Sequence, residues 1–194
     1  MPLVAFEGLD GVGKTTYISA ITEELKSRDI SYIVTQELYG DEMRDKMRSI
    51  FMGNLDGVEE LLLVSLARHW HNRVILANVT KDVILIDRFI ASTIAYQVGG
   101  HGVDESLVDL MQKDVWHVPK PDMNIYIKGE RYRTSKEDRF EAETSDFMSR
   151  VTQKYESLID ASWLVIDNRL DFQQNVDKIV DEITKLIYRN IVTN

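Results

Sequence analysis

The stretch Phe6-Glu-Gly-Leu-Asp-Gly-Val-Gly-Lys-Thr-Thr16, FEGLDGVGKTT, decides how the rest of the chain is read. A short apolar run from Leu3 precedes it, and Ile18, Ile21 and Leu25 follow at helix spacing. Gly8, Gly11 and Gly13 lead into Lys14, Thr15 and Thr16, so Gly8 to Thr15 fits G-x-x-x-x-G-K-[ST]. Glycines let backbone N–H groups converge on phosphate oxygens without Cβ clashes. A helix starting at that point turns its positive end toward the anion. Lys14 adds a full positive charge, and the Thr15 hydroxyl is suited to Mg²⁺. Gly8, Asp10, Gly11, Val12, Gly13, Lys14, Thr15 and Thr16 are therefore the candidate phosphate-binding residues. Asp10, a carboxylate inside an anion-binding loop, needs a separate explanation.

Outward from the loop, short apolar runs recur at Leu3–Phe6, Ser31–Thr35, Val83–Ile86, Met123–Ile127 and Trp163–Ile166. None alternates strictly, which is the pattern of strands covered on both faces in a parallel sheet. Helical spacing separates them, at Phe147, Val151, Tyr155 and Leu158 and again from Phe172 to Ile187. Alternating strands and helices predict an α/β domain with right-handed crossovers. The segment from Val58 to Val79 reads as one long helix, rich enough in apolar residues for deep burial or for a face shared with a second subunit. Lys128 to Glu141 is charged and poor in apolar residues, and reads as a solvated excursion after the fourth strand.

The bulk properties fit this picture. A length of 194 residues favours one domain, with 44% hydrophobic and 28% charged residues. A net charge of −9 argues against a general nucleic-acid or membrane-surface binder. The absence of cysteine excludes disulfides and thiolate metal sites. No stretch reaches the roughly 18 apolar residues of a membrane span, so a cytoplasmic location is expected. The pair His69 and His71 stand i,i+2, where two side chains on a helix diverge, so a surface or interface role is expected over metal binding.

The second informative stretch is VILIDRFIASTIAYQ, Val83 to Gln97. Asp87 ends an apolar strand, where a carboxylate near the phosphate loop suits the Mg²⁺ shell. Arg88 follows, suited to a bidentate phosphate clamp. Ser92 and Tyr96, and Thr93 and Gln97, stand i,i+4 on the helix that would follow. Hydroxyls and an amide on adjacent faces suit a nucleoside pocket. A regulatory GTPase commonly carries N-K-x-D after a strand; this chain has none, and TKDV at Thr80–Val83 precedes a strand instead.

FEGLDGVGKTT, DRFIASTIAYQ, KPDMNIYI and EDRFE together resemble, in order and spacing, the motifs of the thymidylate kinase family across essentially the whole chain. The resemblance implies a three-layer P-loop NTPase-like fold around a five-stranded parallel sheet. It implies a single nucleoside monophosphate kinase domain over 1–194 with a short lid at about 128–143. It also implies ATP and Mg²⁺ as cofactors, dTMP as acceptor, and a homodimer. By the same resemblance, Asp10 would accept a hydrogen bond from the deoxyribose 3′-hydroxyl, and Arg88 would bind the acceptor phosphate. Arg48 and Arg68 match acceptor-site arginines, with Arg68 and Gln97 reading the pyrimidine edge. Tyr96 would sit near the ribose, and Glu37 matches the glutamate of the family's T-R-E-P-G-G segment.

Loose phosphoryl transfer needs positive charge around the moving group. The variable loop positions hold no arginine, so the charge falls to the lid, as in bacterial-type members of the family. Arg131, Arg133 and Arg139 are the candidates, with Arg133 and Arg139 favoured. Two departures stand out. TQELYG replaces T-R-E-P-G-G, putting Gln36 for arginine and Leu38 for proline. Val64 stands where the family usually has a phenylalanine stacked on thymine, a contact worth roughly 1–3 kcal/mol; Trp70 or Phe89 would have to compensate. A kinase for another deoxynucleoside monophosphate is therefore the alternative enzyme reading, and a non-catalytic nucleotide-binding module the alternative from another class.

Overall fold

A computed structural model describes residues 1–38, 42–132 and 145–192. Strands β1 (Leu3–Glu7), β2 (Tyr32–Thr35), β3 (Val83–Asp87), β4 (Met123–Lys128) and β5 (Trp163–Asp167) form one sheet in the order β2-β3-β1-β4-β5. Every pairing is parallel. All the expected strands are present, each within a residue or so of its apolar run. Burial on both faces holds for β1, β3 and most of β4; the edge strands β2 and β5 are half-exposed.

The helices are α1 (Lys14–Ser27), α2 (Glu42–Phe51), α3 (Gly57–Val74), α4 (Ile90–Thr93), α5 (Glu105–Met111), α6 (Ser145–Leu158) and α7 (Phe172–Val192). Alternation along the strands feeds two layers. Val4, Phe6, Val83, Leu85, Ile125 and Ile127 face α1 and α7, where they meet Ile21, Leu25, Ile179, Val180 and Ile183. Leu3, Ala5, Ile84 and Ile86 face the opposite side, against Leu61 of α3, Phe89, Ile90 and Trp116. Each fully buried side chain of this size contributes about 1.5–3 kcal/mol. This three-layer arrangement leaves the C-terminal ends of β1 and β3 adjacent, with Phe6 paired to Asp87. That edge is where parallel α/β sheets place their ligands.

Two expectations need correction. The helix expected over Val58–Val79 starts at Gly57 and stops at Val74, and a 3₁₀ turn covers Leu76–Asn78. Its start is set by a capping box, in which Asp56 accepts from the backbone of Val58 and Glu59 while the Glu59 side chain accepts from the Asp56 N–H. Its apolar content is divided: Leu61, Val64 and Ala67 are buried, whereas Val58, Leu62 and Leu66 are exposed. The helix after Arg88 is α-helical only to Thr93 and continues as a π-helix over Ile94–Gly100. Wider turns of this type are frequent at functional sites.

Candidate active site

The phosphate loop follows from close approach. Gly8 has φ +138°, and a Cβ there would stand 2.5 Å from the Ile127 carbonyl oxygen, so only glycine lets β1 turn beside β4. Lys14 opens α1 and is buried; its Nζ donates to the Leu9 carbonyl at 2.8 Å and to Gly8 at 3.2 Å. Burial, then the neighbouring Arg88 charge, pushes the Lys14 ammonium down to about 8, against the pull of Asp87, Asp10 and Glu7. Thr15 and Thr16 are exposed in the first turn of α1.

Asp10 meets Arg88 and Tyr96 directly. Its Oδ1 accepts from Arg88 Nη2 at 2.5 Å, and Tyr96 OH stands 3.4 Å from Oδ2. Partial burial alone would raise the Asp10 carboxyl, but the Arg88 and Lys14 charges and these hydrogen bonds outweigh it and hold it below the usual range. Arg88 has φ +63°, the left-handed region uncommon outside glycine. Its N–H donates to the Phe6 carbonyl at 2.9 Å. Such strain of about 1–3 kcal/mol persists only where the surroundings over-determine it. Here they do: Nη1 donates to Ser92 at 3.2 Å and to Tyr155 OH at 3.3 Å.

Beneath this pair lies Glu7, fully buried, which the motif reading passed over. Its carboxylate accepts from Phe89 N–H at 3.0 Å, Ser92 Oγ at 2.5 Å and Tyr155 OH at 3.3 Å. Burial pushes the Glu7 carboxyl up, against those hydrogen bonds and Arg88. Ser92, expected to line the nucleoside pocket, thus points its hydroxyl hydrogen at Glu7 and serves Arg88 from behind.

A cleft opens from the Asp10–Arg88 pair between α2, α3 and the α4–π segment. Glu37, Arg48, Val64, Arg68, Asp87, Ser92, Thr93, Tyr96 and Gln97 line it with Asp10 and Arg88, so the acceptor-side candidates converge. Gln36, Leu38, Phe51, Met52 and Phe89 complete the wall. Phe51, Phe89 and Tyr96 are the aromatic residues of the lining, and Trp70 is not among them.

Arg68 is buried, with Nε and Nη2 held by Glu37 at 2.6 and 2.9 Å, and Nη2 shared with Thr93 at 2.9 Å. Its guanidinium lies 4.2 Å from the centroid of the Trp116 ring. Glu37 therefore orients Arg68. Arg68 Nη1 is buried with no hydrogen-bond partner among the described residues. A buried polar group left so costs about 1–3 kcal/mol, which marks it as a donor awaiting a ligand. Gln97 Nε2 donates to the buried Glu60 at 2.9 Å. A carboxylate can only accept, so this contact fixes the amide and leaves Oε1 as its acceptor for a ligand N–H.

Asp87 Oδ1 is buried and has no hydrogen-bond partner among the described residues, which suits a metal shell. Those residues hold no group of three or more His, Cys, Asp or Glu placed to bind a metal. Mg²⁺ that arrives with a nucleotide needs only one or two protein oxygens, so Asp87 and Thr15 fit it. His71 departs from its expected surface role: it is fully buried, 2.7 Å from Thr35 Oγ1. Arg131 Nε donates to the Asp10 carbonyl at 2.9 Å. Arg133 and Arg139, the favoured lid arginines, lie outside the described residues.

The family model described as thymidylate kinase matches residues 6–182. A thymidylate kinase of Psychrobacter sp. is 32% identical over 97% of this chain and 97% of its own length. That of Pelobacter propionicus is 29% identical over 98% of this chain and 95% of its own. A crystal structure of thymidylate kinase from Ehrlichia chaffeensis superposes with a TM-score of 0.76 at 26% identity, covering 94% of this chain and 98% of that one. A match of this extent is to the domain and not to the phosphate loop alone, and the chain belongs to the thymidylate kinase family.

Proposed function

We propose that the chain transfers the γ-phosphoryl group of ATP to dTMP, giving dTDP and ADP. The observation that carries the reading is the Asp10–Arg88 contact at 2.5 Å. It joins the phosphate loop to the wall of a cleft that also presents Arg68 Nη1 and the Gln97 amide. A donor site and an acceptor site thus share one boundary, as direct transfer between two bound phosphates requires.

The chain's own residues divide the work. Lys14 and the loop N–H groups hold the donor phosphates. Arg88, fixed by Asp10, Ser92 and Tyr155, holds the acceptor phosphate, and Arg48 supports it from α2. Arg68 Nη1 donates to a thymine carbonyl, while Gln97 Oε1 accepts from the pyrimidine N3–H. Asp10 has a second oxygen for the deoxyribose 3′-hydroxyl, and Tyr96 crowds the 2′ position. Asp87 and Thr15 would hold Mg²⁺, which would supply positive charge to offset that of the phosphates. No general base is required, because the acceptor phosphate is already anionic. Arg133 and Arg139 are proposed to add transition-state charge from the lid, at about residues 128–143 of a single 1–194 domain.

We also infer a homodimer. Val58, Leu62 and Leu66 repeat at i,i+4 on the outer face of α3 and are 45%, 52% and 56% exposed. An apolar stripe of that kind on a soluble fold marks an interface. Among the described residues no helix is long and apolar enough to cross a membrane.

The acceptor is tested by a phosphotransfer assay with ATP and each deoxynucleoside monophosphate in turn. dTMP is expected to give the highest kcat/KM. A purine or cytosine acceptor that outperforms dTMP would replace this reading, with Val64 the first residue to examine.

A further inference from the structure

Three successive carbonyl oxygens of the phosphate loop are engaged from outside it. Arg131 Nε donates to Asp10 O at 2.9 Å, the Tyr132 backbone N–H to Gly11 O at 2.7 Å, and Asn168 Nδ2 to Val12 O at 3.0 Å. The peptides are trans, so each carbonyl points opposite to the N–H of the next residue. Holding these carbonyls outward therefore aims the N–H groups of Gly11, Val12 and Gly13 the other way, into the cradle a phosphate would enter.

Asn168 is the hub of this arrangement. It follows β5 directly, is 9% exposed, and its amide is fully used. Oδ1 accepts from Glu130 N–H at 2.8 Å, while Nδ2 donates to Glu130 O at 2.7 Å as well as to Val12. Its own backbone N–H donates to Lys128 O at 2.8 Å. The chain after β4 reaches this amide only as glycine: Gly129 has φ +126°, and a Cβ there would stand 2.0 Å from Asn168 Oδ1. The sheet order makes the contact possible, because β4 lies between β1 and β5 and brings the three strand ends together.

We propose that Asn168 is a positioning residue for the donor phosphates, fixing the Val12–Gly13 peptide and tying it to Gly129–Tyr132 so that the loop N–H groups are set before ATP arrives. The proposal rests on the reading of Gly8–Thr16 as the donor loop. Asn168 acts through the loop backbone, its amide being taken up by Val12 and Glu130.

A comparator lies close by. Asn175 is also buried, and its Nδ2 donates to Tyr17 OH at 3.0 Å and to Asp167 O at 2.9 Å. It braces the same end of β5 against α1, and both of its Nδ2 contacts go there and not to the loop carbonyls.

The test is equilibrium titration of ATP and, separately, of dTMP into the full chain, at a temperature where each variant is folded by circular dichroism. Asn168→Ala is expected to weaken ATP binding about tenfold, the scale of a buried hydrogen bond lost with its partner left unsatisfied, and to change dTMP binding less than about twofold. Asn175→Ala is expected to lower the melting temperature with ATP affinity unchanged within about twofold. Asn168→Asp keeps the volume and the acceptor for Glu130 N–H but sets a carboxylate oxygen against two carbonyls. It is expected to weaken ATP binding at least as much, and it carries the test if the alanine variant does not fold. Wild-type ATP affinity in a folded Asn168 variant would overturn the proposal. So would equal losses for ATP and dTMP in both asparagine positions. The ATP titration contains no acceptor, so its outcome is independent of which nucleotide receives the phosphate.

Discussion

Lys14 is the residue at which the electrostatics of the site become measurable. Its ammonium sits at about 8 because burial, and secondarily Arg88, disfavour the charge more than three carboxylates support it. The folded chain therefore releases this proton before an unfolded chain with the ordinary value of 10.5 does. The charged form costs stability below about 8, and the cost is relieved as pH rises toward 10.5. Binding runs the other way. A triphosphate favours the charged form, so ATP binding above about pH 8 takes up a proton. ATP affinity is expected to be level up to about pH 8 and then to weaken by at most about tenfold per unit. Calorimetric titration in two buffers of different ionisation enthalpy checks both affinity and proton uptake. A flat affinity through pH 9.5 with no proton uptake would place the charge elsewhere (about one and a half units past the midpoint).

Lys14, Asp87 and Arg88 were legible in the sequence because their chemistry comes from local order: a loop between strand and helix, and a strand end. Glu7, Tyr155 and Asn168 were not. Tyr155 reaches Glu7 across 148 residues of sequence, and Asn168 reaches Val12 across 156. Only the strand order brings such groups together. Arg68 and Gln97 were found by motif, but the carboxylates that orient them, Glu37 and Glu60, had respectively another role and none.

At the scale of elements, α3 has two jobs. Its inner face carries Val64 and Arg68 to the cleft, and its outer face leaves Leu62 and Leu66 exposed. Residue spacing alone showed a helix dense in apolar groups, with burial or subunit contact both open. The structure assigns the apolar residues to two faces. Leu66→Glu is expected to convert a dimer to monomer in sedimentation or light scattering, with the circular dichroism spectrum retained. A charge in an apolar interface core without a partner costs several kcal/mol, on the order of 10²-fold or more in the dimer dissociation constant. An unaltered molecular weight, or a wild-type chain that is already monomeric at micromolar concentration, would remove α3 from the interface. The π segment is the element that spacing does not reveal. An i,i+4 pattern is shared by α and π turns over so short a stretch, and Ser92, Thr93, Tyr96 and Gln97 line the cleft together all the same. The wider turn begins at Ile94.

For the whole molecule, the sheet order is what turns motifs into a reaction site. β1 stands at its centre, flanked by β3 and β4, and delivers the phosphate loop between the Asp87–Arg88 turn and the strand leading to Tyr132. The phosphate loop thus lies toward the β4–β5 side and the proposed acceptor residues toward the β3 side, with Asp10 between them. With Arg88 in its proposed role, the acceptor is expected to carry a phosphate of its own. The direct measurement is ³¹P NMR of the chain with ATP and Mg²⁺, given dTMP in one sample and thymidine in another. dTDP and ADP are expected from dTMP, and no dTMP from thymidine. Phosphorylation of thymidine at a comparable rate, or ADP with free phosphate and no dTDP in the dTMP sample, would contradict it.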